Sequence, residues 1–232
     1  HSMDKPDLIS KILQADGRGR TMIFCKTKRA AQKLTDELID RGFKAGAVHG
    51  DLGQGAREKA LQQFRDGSID VLVATDVAAR GIDVENVTHV INYTCPDDEK
   101  MYLHRIGRTG RAGSDGVAVT LVDWDDLHRW KLIDKALGLP FADPIETYST
   151  SEHVFTGLGI AKEAPSRLKP AAPREDRPER RERSDGGRNR RPSGKPAKTE
   201  KNHRSDDTSG SGQAKSQRRR RRTRKSPSSP ES

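Results

Sequence analysis

The stretch DVLVATDVAARGIDV, residues 70–84, decides the fold. Its run VLVA at 71–74 is apolar at every position instead of alternating, as expected of a central parallel strand covered on both faces. The character then changes at once, and Thr75, Asp76, Arg80, Gly81 and Asp83 follow. In an open parallel sheet, ligands sit beyond the carboxyl ends of the strands. A small hydroxyl, a glycine and two carboxylates at such an end suit close approach of a sugar-phosphate. The same residues also suit an ordinary capped turn.

Working outward, short β-rich runs alternate with helical patterns from residue 5 to about 137, which predicts an α/β domain with a parallel sheet sandwiched by helices. Strands are expected near 20–25, 44–48, 70–75, 87–93 and 116–122. Ala31, Leu34 and Leu38 recur at helical spacing with Asp36, Glu37 and Asp40 on other faces. A second helix, 54–66, is expected to bury Ala56, Ala60, Leu61 and Phe64. Two more fit 97–107 and 124–137, the last stopping at Gly138 with Pro140 beyond.

Charge divides the chain. Residues 1–164 carry 22 basic and 25 acidic side chains and residues 165–232 carry 22 and 9, so the net +10 is −3 in front and +13 behind. All ten aromatic residues precede residue 156, and eight of the twelve prolines lie from Pro165 onward. The expected layout is a vector scar at 1–3, a folded domain at 4–145, a transitional segment at 146–164 and a disordered Arg/Lys/Ser/Pro-rich tail at 165–232, which has too little apolar surface to offset chain entropy. Phe141, Tyr148 and Phe155 give residues 140–164 a means of packing back onto the domain. No run of about 18 apolar residues is present to span a membrane, and no export signal opens the chain. Cys25 and Cys95 lie far apart, without a CxxC, and the seven histidines form no ligand-like cluster. No metal site is expected in the chain, and a cytoplasmic, reducing location is.

Three further clusters could carry chemistry. YLHRIGRTGRAG, 102–113, spaces Arg105, Arg108 and Arg111 by three, which on a helix running into a turn keeps three guanidiniums near one side. Three such like charges make most sense facing polyanionic oxygens or carboxylates, to which the planar fork donates bidentately. Gly107, Gly110 and Gly113 interrupt the helix, which a merely solvated face would not require. HGDLGQGAREK, 49–59, runs a glycine-rich turn into a helix start, either an anion cradle or a plain turn. MIFCKTKR, 22–29, puts Thr27, Lys28 and Arg29 at another strand end. All four clusters are expected at carboxyl ends of strands of one sheet.

ATDVAARGIDV and HRIGRTGRAG, in that order and about 20 residues apart, resemble motifs V and VI of DEAD-box RNA helicases. MIFCKTK resembles motif IV, and HGDLGQGAR resembles that family's Gln-x-x-Arg element. The resemblance covers roughly residues 5–140 and implies the second of two RecA-like domains. The sequence contains no G-x-x-x-x-G-K-[ST] and no Asp-Glu-Ala-Asp. It therefore implies a fragment that does not hydrolyse ATP without its N-terminal RecA-like partner, which would hold most of the Mg²⁺.

Carried over by motif, Arg111 resembles the arginine finger that meets the γ-phosphate of ATP, with Arg108 beside it. Gly81 and Asp83 resemble the ribose contact, and His104 and Arg105 the groups coupling the two domains. Thr27, Gly50, Arg57 and Thr75 resemble contacts to the RNA backbone. Asp76 and Arg80 stay open between ATP coupling and internal bracing. The tail, with QRRRRRTRK at 217–225, reads as a non-specific RNA tether that spans roughly 45 Å as a flexible coil. The alternative is a non-enzymatic RNA-binding or annealing module driven by that tail. Ribosomal or RNA-decay assemblies are candidate partners, and no membrane is.

Overall fold

The computed structural model describes residues 3–169 except Asp83 and Ala112, so the expectations for Asp83 and for the tail beyond residue 169 lie outside the described residues. The chain divides into two units, His1–Arg177 and Pro178–Ser232, and all the described residues belong to the first.

The elements run in chain order as α1 (Lys5–Ile12), β1 (Arg20–Phe24), α2 (Lys28–Asp40), β2 (Ala45–Val48), α3 (Gln54–Asp66), β3 (Val71–Ala74) and α4 (Asp76–Ala79). They continue as β4 (Val87–Asn92), α5 (Glu99–Ile106), β5 (Val117–Thr120), a 3₁₀ turn (Trp124–Asp126), α6 (Leu127–Leu137) and α7 (Glu152–Leu158). The sheet order is β2-β3-β1-β4-β5, and all four pairings are parallel. The expected fold class and all five strands are present. The VLVA run becomes β3, flanked by β2 and β1 and buried along its whole length.

The period of two divides the core between the sheet faces. Ile23, Val71, Val73 and Ile91 point toward Leu8, Ile9, Leu34 and Leu38 of α1 and α2. Met22, Leu72 and Val90 point the other way, toward Leu61 and Phe64 of α3. Each such side chain contributes about 1.5–3 kcal/mol on burial. A third cluster, Cys95, Tyr102, Trp130 and Ile133, ties α5 to α6, with Tyr102 and Trp130 edge to face at 5.6 Å.

Two expectations need correction. Ala56, expected in the buried stripe of α3, is exposed and Ala60 is only half-buried, so Leu61 and Phe64 alone make the stripe fully buried. In the segment after α6, Phe141 and Tyr148 are exposed. The anchors are Val154, Ile160 and Ala164, which enter the core beside α1 and α2 with Phe155 half-buried against it. Hydrogen bonds complete that attachment: Asp4 accepts from the Ser149 amide and hydroxyl at 2.6 and 2.7 Å, and Arg41 O accepts from Leu168 N at 2.7 Å. Short α1 and α7 carry too few apolar repeats to stand out in the sequence, and tertiary packing defines both.

Candidate nucleotide and nucleic-acid site

Three of the four chemistry-bearing clusters do sit at carboxyl ends of strands. After β1, Thr27 caps α2 by accepting from Ala30 N at 3.1 Å. A hydroxyl that accepts this bond keeps its hydrogen to donate elsewhere. The lysines beside it face carboxylates from neighbouring loops. Lys26 pairs with Asp97 at 2.9 Å and Lys28 with Asp51 at 2.6 Å. The hydrogen bond from Lys26 is the main reason the Asp97 carboxyl is held below the usual carboxylate range. After β2, buried His49 hydrogen-bonds Gln32 at 2.9 Å and leaves Gly50 exposed on the turn. After β3, Thr75 precedes α4, and Arg57 of α3 donates to Ala78 O at 3.0 Å, locking α4 to α3. Thr27, Gly50, Arg57 and Thr75 therefore surround the ends of the three adjacent strands β1, β3 and β2.

The fourth cluster departs from expectation. The turn at 107–113 follows a helix, and α5 runs antiparallel to the strands, which returns the chain toward their amino ends. There Thr109 donates its hydroxyl to Val87 O, at the start of β4, at 2.6 Å. Arg108 donates to Ile82 O at 2.8 Å. The arginine turn is thus held against the segment that contains Gly81, whose φ of +72° is the left-handed conformation that glycine adopts without strain. Asp83, one residue beyond Ile82, lies outside the described residues.

Nor do the three arginines share one face. Arg105 is 2% exposed. Its Nε and one terminal nitrogen grip both oxygens of Asp76 at 2.7 and 2.8 Å, and its other nitrogen donates to Thr94 O at 2.8 Å and Asn92 Oδ1 at 3.2 Å. Its guanidinium also lies 5.4 Å from the centre of the Phe24 ring. The expected coupling role of Arg105 thus meets an inward-facing side chain whose donors brace α4 and the carboxyl end of β4 to α5. Asp76 sits on the bracing side of the two roles left open for it, while Arg80 and His104 are exposed. Arg108 is half-buried; Arg111 is exposed, its Nε donating to Gly107 O at 2.8 Å. Spacing by three could not separate these environments, because the helix ends at Ile106 between the first arginine and the second.

Beneath the brace, burial pushes the Cys25 thiol up to about 12 despite the nearby Arg105 charge, so this sulfur is an inert core group. Sequence reasoning missed Asn92, Thr94 and Thr109, which aim the arginines. Asn92 carried a visible signal, a lone amide closing the apolar strand VTHVIN. Among the described residues, no three His, Cys, Asp or Glu side chains come together as metal ligands, and no helix is long and apolar enough to cross a membrane.

The arrangement offers two kinds of surface. The strand ends present hydroxyls, backbone and Arg57 to a ligand; the glycine turn presents guanidiniums suited to polyphosphate. Comparison with known proteins identifies the family to which this fold belongs. Residues 4–113 match the family described as the helicase conserved C-terminal domain. The ATP-dependent RNA helicase CshA of Limosilactobacillus reuteri is 42% identical over 157 residues, covering 66% of this chain and 31% of that protein. The chain spans less than a third of the length of the curated relatives it matches. Among solved structures, the E. coli DEAD-box protein SrmB, bound to regulator of ribonuclease activity A, aligns with a TM-score of 0.58 and 35% identity over 60% of this chain and 82% of that one. S. cerevisiae Dbp5 bound to RNA and ADP BeF3 aligns with a TM-score of 0.56 and 36% identity over 60% of this chain and 37% of that one. The chain belongs to the helicase conserved C-terminal domain family, in the RecA-like form carried by DEAD-box ATP-dependent RNA helicases.

Proposed function

We propose that this domain is the second half of an ATP-dependent RNA helicase and completes its ATP site from across an interdomain cleft. The observation that carries the reading is the hydrogen bond from Arg108 to Ile82 O, which keeps the turn that carries exposed Arg111 beside the Gly81 segment, near the amino end of β4. Gly81 and Asp83 contact the ribose. Arg108 and Arg111 meet the β- and γ-phosphates, where a preorganised guanidinium stabilises charge developing in phosphoryl transfer, worth about 10³–10⁵ in rate in related NTPases. The P-loop lysine and the acid that holds Mg²⁺ come from a first RecA-like domain. This chain contributes charge and positioning, not metal ligands. His104 faces that domain, and Arg105 supports the coupling indirectly by fixing Asp76 and α4.

Thr27, Gly50, Arg57 and Thr75 hold the RNA sugar-phosphate backbone at the ends of β1, β2 and β3, so binding carries little sequence preference. The basic segment 165–232 adds a non-specific electrostatic tether, with log K falling against log salt by about 0.7 per phosphate neutralised on single strands. The two buried, unpaired cysteines are compatible with a reducing cytoplasmic setting. The net +13 of residues 165–232 also favours a second reading, an RNA-binding or annealing module that works without ATP.

Mixing this chain with its separately produced first domain separates the two. Recovery of RNA-stimulated ATP hydrolysis by the mixture, with none from this chain alone, is expected. RNA annealing by this chain alone that ATP and the first domain leave unchanged would favour the second reading.

A further inference from the structure

At the carboxyl end of β5 the surface opens into a groove of about 500 Å³ that none of the site residues above lines. Residues 120–125 with Leu127 form one wall and 144–148 the other. Two aromatic rings stand open to solvent there, Trp124 at 76% and Tyr148 at 45% exposure. Asp123, Asp125 and Glu146 line the same groove. Its one basic lining residue, Lys5, is buried and engaged, donating to Asp123 at 2.6 Å and to Tyr93 O at 3.0 Å.

An aromatic face beside carboxylates suits one side chain above others. A guanidinium stacks on Trp or Tyr and forks to an acid in the same plane, where an ammonium offers only a point charge. The carboxylates repel the phosphates of RNA, so the groove does not extend the nucleic-acid surface. We propose that it docks an arginine-rich segment of a partner protein, lying between the two walls with arginines over Trp124 and Tyr148. β5 is separated from β1 by β4 alone, so at the usual strand spacing the docked segment lies about 10 Å from the end of β1. It would bring positive charge alongside the strand ends proposed to hold RNA.

The test measures anisotropy of a fluorescein-labelled octa-arginine peptide with the full 232-residue chain at about 0.15 M salt, with octa-lysine as comparison. Tighter binding of octa-arginine is expected. Trp124→Ala and the double variant Asp125→Asn/Glu146→Gln should each weaken it by about tenfold, with Trp124→Phe retaining most of the affinity. Circular dichroism and thermal melting confirm that each variant is folded. Affinity unchanged in both the aromatic and the acidic variants would overturn the proposal. So would a gain of about tenfold on replacing Arg218–Arg222 with serine, which would assign the groove to the chain's own basic run.

Discussion

Arg105 and Arg111 are six positions apart in one sequence cluster, yet the fold uses them in opposite ways. Arg105, inside α5, is 2% exposed and spends its donors on Asp76, Asn92 and Thr94. Arg111, beyond the helix end in a glycine-rich turn, is exposed and donates to the carbonyl of Gly107. A buried guanidinium must be fully paired to offset its desolvation, which commits it to the fold. An exposed one on a braced turn can be held in place and still meet a ligand. The two regions thus separate a buried brace from an exposed turn within ten residues, and they make different demands on mutation.

The brace should show the largest effect on stability. Arg105→Ala leaves Asp76 and the Asn92 and Thr94 oxygens without their donor, and should cost about 3 kcal/mol, or roughly 6–12 °C in Tm. Replacing both partners, as in Arg105→Met/Asp76→Leu, should recover much of that loss, because no uncompensated charge remains. An Arg105→Ala melting point equal to wild type would mean that the ion pair carries no structural weight.

The turn should respond next. At Gly116 an added Cβ would stand 2.6 Å from Gly110 N and press on the Thr109 hydroxyl that holds the turn to β4. Gly116→Ala should cost about 1–3 kcal/mol by crowding, visible as a lower urea midpoint. Full stability of this variant would show that the turn is looser than its hydrogen bonds imply.

The smallest effect is on pH dependence. Burial raises Cys25 to about 12 and Cys95 to about 11 from 9.0. Above pH 9 the unfolded chain loses thiol protons that the folded chain retains, so stability falls as pH rises from about 9 toward 11 and 12. Urea midpoints at pH 8, 9 and 10 should decline in that order, and Cys25→Ala/Cys95→Ala should flatten the decline.

How much of this was legible beforehand follows from range. The VLVA run announced a central strand because full burial leaves a mark on every residue, while α2 declared itself by spacing and α6 by its stop at Gly138. Ala56 was misread because hydrophobic periodicity does not record where a helix leaves the sheet. Motif order pointed to the family, which the helicase conserved C-terminal domain match bears out. The three-residue spacing could not tell Arg105 from Arg111, because the partner that buries Arg105 is Asp76, 29 positions away, a distance to which such spacing is blind. The same blindness put the glycine turn at a strand's carboxyl end, whereas the return of α5 carries it to the start of β4.

The central claim is that Arg111 serves the reaction while Arg105 serves the fold, and the direct measurement is RNA-stimulated ATP hydrolysis by the complete protein carrying Arg111→Ala. The account predicts a loss of about 10³ or more in turnover with a melting temperature close to wild type. Turnover near the wild-type rate would contradict it.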